Sequence, residues 1–202
     1  MRNHIKYYFS KNILDYLKVF IVFIVGIVVA VITINNSNEL QKKEIKTYID
    51  EKINIVKTVD DYNKGALIDV MKQNSKDFII LVFLASSLIG IPFAYFLVAK
   101  KGFSIGYTIA AIYATQNTKT AIIFICNSML IHNIIYMVSV GLVLVAGTNL
   151  VKAMIDKDRK NIKFELLRYI IFLIVGFAII FVSSIFEVHI SSIFLSLFKK
   201  YL

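Results

Sequence analysis

Residues 19–34 read VFIVFIVGIVVAVITI, sixteen positions interrupted only by Gly26 and Thr33. A bilayer core about 30 Å thick is crossed by roughly 20 apolar residues of helix. Residues 13–17 extend the run on its amino side, and Lys18 can snorkel to the headgroups. The segment 13–34 is therefore long enough to span. Arg2, Lys6 and Lys11 before it resemble the basic start of a secretory signal. The apolar run is too long for one, and Thr33-Ile34-Asn35-Asn36 stands where a small-residue cleavage site would be. The segment reads as an uncleaved helix.

The rest of the chain has the same character. Of its 202 residues, 58% are hydrophobic and 18% charged, with a mean hydropathy of +0.72. Soluble domains hold roughly 45–50% apolar and about 25% charged residues. A free soluble enzyme, a disordered chain and a nucleic-acid-binding domain are poor readings of such a composition. The net charge of +10 fits Lys and Arg gathered near cytoplasmic helix ends and anionic headgroups. No basic run is interleaved with aromatics as a strand-binding groove needs, so no nucleic-acid partner is expected. The single cysteine, Cys126, lies in an apolar run and is silent on redox compartment.

Four further apolar segments follow. Residues 78–99 form the second span, with Gly90 and Pro92 near its middle; Pro92 is the only proline and is expected to kink the helix. Segment 102–115 is short and either crosses from Lys100-Lys101 or is re-entrant. Segments 121–146 and 169–190 are full spans. The tail after Ile190 either continues the last helix or lies flat in the interface. Glycines in or beside these segments, Gly90, Gly102, Gly106, Gly141, Gly147 and Gly176, let helices approach closely. The expected fold is all-α: one integral membrane domain over 1–202, a polytopic bundle of about five transmembrane helices with an amphipathic helical extracytoplasmic loop. Six Lys/Arg crowd residues 147–168, and a re-entrant third segment would put them outside. The positive-inside rule favours five crossings, amino terminus inside and carboxyl terminus outside.

The outer loop, 35–77, carries Ile45, Ile49, Ile53 and Val56 at helical spacing, on a helix expected over about 38–59. That stripe packs on the protein's own surface or on lipid, or else docks another helix as a candidate partner-binding face. Along the fourth span Ser128, His132, Tyr136 and Ser139 share one face, with Asn133 beside it. Polar groups in hydrocarbon turn toward the bundle, so this stripe is interhelical glue or the lining of a transport path or proton relay. At ~1.5 Å per residue, Glu187 lies about 27 Å and His132 about 21 Å from the inner ends of their spans. Glu187 therefore either meets His132 or sits at the outer headgroups. No phosphate-binding loop, zinc-protease motif, nucleophile elbow or C-x-x-C is present. The chain is expected to be no enzyme and to need no cofactor or metal.

Gly90-Ile91-Pro92 followed by Lys101-Gly102-Phe103-Ser104-Ile105-Gly106-Tyr107-Thr108 resembles the core signature of the stage II sporulation protein M family, a G-x-P in one helix and K-G-F-x-x-G-[FY]-T entering the next. Asn74 resembles the asparagine that the family places before the second span. Asn133 fits the family's L-P-x-N-like turn, although Ile131 stands where the proline would be, and Glu187 resembles the acidic residue of the last helix. The likeness covers roughly residues 70–195. It implies a multi-pass protein of the bacterial cell membrane, placed in the mother-cell membrane during sporulation. There the family acts in engulfment, with stage II sporulation proteins D and P, which degrade septal peptidoglycan. It also implies a scaffold rather than a catalyst. The alternative is a permease-like subunit with Gly90-Ile91-Pro92 as a broken helix. The chain shows no inverted repeat, and a homo-oligomer would have to supply the missing half.

Overall fold

The structure, a computed structural model, describes residues 2–41, 43–47, 64–115, 131–156 and 159–201. Among these there is helix and turn and no strand. The main helices are α1 (Arg2–Lys11), α2 (Ile13–Asn35), α3 (Lys64–Ala85), α4 (Gly90–Thr115), α5 (Ile131–Ile155) and α6 (Arg159–Tyr201). By length and composition α2, α5 and α6 can each cross a membrane, while α3 and α4 fall short of that measure.

The axis of the bundle is α5. Every residue from 139 to 148 is buried, as befits a helix that is apolar all round. Its apolar window is 72% buried, against 22% for α2 and 28% for α6. On α2 only Asp15, Val19, Gly26, Ala30 and Ile34 are buried, a single stripe. Phe20, Ile24, Val28 and Ile32 stand exposed on other faces. In water that surface would favour aggregation. In lipid it needs no partner, because acyl chains are as apolar as leucine.

The pair α2 and α4 runs parallel along a seam of close backbone approach. A Cβ on Gly102 would strike the Phe23 carbonyl, one on Gly106 would meet Ile27 Cα at 2.7 Å, and one on Gly26 would strike the Ala99 carbonyl. Phe23 therefore lies level with Gly102, and Ile27 with Gly106. By contrast α3 and α6 are antiparallel: the Tyr169 hydroxyl donates to the Val82 carbonyl at 2.7 Å, and Asn74 reaches Ser184 and Glu187.

The connection between α3 and α4 corrects the sequence expectation. The apolar stretch 78–99 is not one kinked helix; it is divided by a turn at residues 86–89. The Ser86 hydroxyl donates to the Phe83 carbonyl at 2.9 Å, closing α3, and the Gly90 amide donates to Ser87 Oγ at 2.9 Å, opening α4. Pro92 sits in the first turn of α4, where a missing N–H breaks no helical hydrogen bond, so it starts a helix instead of kinking one. The separate segment 102–115 is the second half of α4. Lys100 and Lys101, read as the turn between two spans, lie in mid-helix.

Candidate functional site

Two polar networks hold the helices together. In the first, from α3, α5 and α6, the Asn74 amide donates to Glu187 Oε2 at 3.0 Å and to Ser184 Oγ at 3.2 Å. His132 Nε2 lies 3.9 Å from Glu187 Oε1 and 2.9 Å from Asn133 Nδ2. The Ser183 hydroxyl donates to the His132 carbonyl at 2.8 Å. Asn74, Asn133, Ser183 and Ser184 are all buried. One turn of α5 further on, Tyr136 is buried and carries the Lys101 ammonium 4.7 Å above its ring. The Ser139 hydroxyl donates to the Gly176 carbonyl at 3.0 Å. Each contact satisfies a polar group that would otherwise face hydrocarbon.

The protonation of this network is constrained by donor chemistry. If the Asn133 amide donates to Nε2, His132 is neutral with its proton on Nδ1. A protonated Nε2 points its hydrogen at the Glu187 carboxylate instead. At 3.9 Å the His132–Glu187 approach is too long for a hydrogen bond. The tie is therefore made chiefly by Asn74, with the imidazole as a polar neighbour.

The second network lies at the basic end, where α1, α2, α5 and α6 meet. Asp15 accepts from Lys18 and Lys152, each at 2.8 Å. Asn149 donates to Asn12 Oδ1 at 2.9 Å and to the Tyr8 hydroxyl at 3.3 Å. Arg168 pairs with Glu165 at 2.6 Å and lies 5.2 Å over the Tyr8 ring. Burial pushes the Tyr8 phenol up, with the Asn149 hydrogen bond opposing it. Sequence reasoning missed this network. Its one signal was Asp15, the only acidic residue among the four cations of residues 1–18.

The signature residues divide by role. Gly90 and Pro92 start α4, Gly102 and Gly106 form its seam with α2, and Lys101 meets Tyr136. The Phe103 and Tyr107 rings lie 6.0 Å apart along one face, and the Thr108 hydroxyl bonds the Ser104 carbonyl of its own helix. Ile45 is half-buried in a helical stretch at 43–47. Ile49, Ile53 and Val56 of the proposed docking stripe, and Ser128 of the fourth-span stripe, lie outside the described residues.

The sequence profile of the family described as stage II sporulation protein M matches residues 19–192. No curated protein and no solved structure matches the chain.

Proposed function

Taking as premise that the chain belongs to the stage II sporulation protein M family, we propose that it is a scaffold of the engulfment machinery, holding stage II sporulation proteins D and P at the septum. Membership makes it a sporulation-related membrane protein, and α2, α5 and α6 supply the apolar length. The finer reading is ours: a multi-pass protein of the mother-cell membrane in which all five long helices cross. In its favour, α4 lies beside α2 along the glycine seam, which puts both at one depth. The amino-terminal helix, the end of α5 and the start of α6 also share the basic end, as cytoplasmic segments should.

The observation that carries the scaffold role is the Asn74–Glu187 tie, backed by Ser184 and His132. It joins α3, which continues the outer loop, to the long α6. A bundle cross-linked at that point holds the outer end of α3 fixed against α6, which is what anchoring a partner at the membrane surface demands. The permease-like reading has less behind it, since Ser139 of its proposed path is occupied by the Gly176 carbonyl. The test is genetic and biochemical together. Deletion should stall engulfment while vegetative growth stays normal. Asn74→Leu should reduce co-purification of protein P from sporulating cells. Normal engulfment without the chain would reject the reading.

A further inference from the structure

Helices α3, α4 and α5 line an open cavity of about 350 Å3 that contains two charges without an ion-pair partner. Its polar lining is Gln73 and Asp77 from α3, Lys100, Lys101 and Ser104 from α4, and Tyr136 from α5. Lys101 is engaged by the Tyr136 ring. Among the described residues Asp77 and Lys100 make no hydrogen bond and no ion pair, and both are exposed. The depth of Lys100 follows from the α2–α4 seam, and Asp77 lines the same cavity. Gly102 lies level with Phe23, so Lys100 lies level with Ile21, three residues from the middle of Ile13–Asn35. Exposed apolar side chains at that depth say nothing about a partner, because lipid satisfies them. Charges do, since an ionised side chain at the centre of a spanning helix is costly unless it finds an opposite charge.

With Lys101 engaged, the cavity offers one anion and one cation. An anionic ligand would leave Asp77 unmatched, and a cationic one would leave Lys100 unmatched. A surface bearing one charge of each sign on two neighbouring antiparallel helices is complementary to itself under a two-fold rotation. We propose that two copies of this chain meet at the cavity, Asp77 of each copy pairing with Lys100 of the other across a two-fold axis. The pairing removes four charges from lipid at once. It rests on the proposed reading that α3 and α4 cross the membrane and not on the scaffold role.

The test uses two differently tagged full-length copies co-expressed and captured in mild detergent. Wild-type copies co-purify. Asp77→Lys with itself, and Lys100→Asp with itself, lose at least tenfold of that recovery. Asp77→Lys mixed with Lys100→Asp recovers it, because both cross-axis pairs are then again opposite in sign. The double variant Asp77→Lys/Lys100→Asp also self-associates. A pair made within one chain gives a different pattern: the double variant recovers and the mixture does not. That pattern overturns the proposal, as does failure of wild-type copies to co-purify. Should the charge-reversed chains fail to insert, Asp77→Asn and Lys100→Gln are the milder variants. Tenfold weaker co-purification with unchanged helicity supports the interface, and undiminished co-purification rejects it.

Discussion

The α2–α4 seam and the α3–α5–α6 tie solve one problem by opposite means. Lipid gives helices no hydrophobic reason to associate, so attraction must come from close packing or from hydrogen bonds. The seam uses missing side chains: Gly26, Gly102 and Gly106 bring backbone against backbone. The tie uses polar side chains, with Asn74, Ser184 and Glu187 completing one another's hydrogen bonds. A seam of this kind fails when atoms are added, and a tie fails when atoms are removed.

The largest effect is expected at the seam. Gly102→Leu places a branched side chain on the Phe23 carbonyl, and neither backbone can yield without parting the helices. We expect a loss of about 3 kcal/mol or more, above the usual cost of overpacking because the obstacle is main chain. Thermal unfolding in detergent would show it, together with a fall in the amount inserted. A melting temperature within a few degrees of wild type would mean that the two helices do not touch there.

The tie should respond less strongly and with a different signature. Asn74→Leu leaves the Glu187 carboxyl without its amide donor, at a cost of about 1–2 kcal/mol. Removing both partners in Asn74→Leu/Glu187→Leu should cost less than Asn74→Leu alone, because the Glu187 carboxyl is then no longer stranded, while Ser184 loses its Asn74 donor in both variants alike. A double-mutant cycle measures the difference, and additive losses would dissolve the pair. Below this comes Lys152→Met at the basic end. Asp15 keeps Lys18 as a partner, and Lys152 is more than half exposed, so the expected loss is under about 1 kcal/mol. It should shrink further at high salt, read from melting at two ionic strengths.

The same contrast explains what could be read from sequence. The span of α2 is legible because a sixteen-residue run broken only by Gly26 and Thr33 admits no other structure of that length. The turn at 86–89 was hidden because Leu84, Ala85, Leu88 and Ile89 are as apolar as the helices they join, and hydropathy runs through unbroken. The signal was there in another form: Ser86-Ser87 followed by Gly90 and Pro92 is the pattern of a helix start. Lys100-Lys101 misled because charges usually mark a helix end, whereas here they line a cavity in mid-helix. Asn74 carried no pattern of its own, since a tie between residues 113 positions apart leaves no periodicity to find. Among glycines, sequence shows which could permit close approach but not which meet a backbone.

That last point gives the smallest expected effect and the sharpest check on the comparison. Gly141 lies on α5, inside the same apolar bundle, and by composition alone it is indistinguishable from Gly102. A Cβ there would meet only the Tyr16 ring, at 3.8 Å, an ordinary van der Waals distance. Gly141→Ala should therefore cost nothing in packing, and alanine's better helix propensity favours it by up to about 1 kcal/mol, as measured in water. We expect a melting temperature unchanged or slightly raised. Gly106→Ala, the same chemical change, meets Ile27 Cα at 2.7 Å and should lower it. If the two substitutions were equally damaging, glycine would be needed along the whole bundle for reasons of backbone freedom, and the seam would lose its claim to be a distinct mode of association.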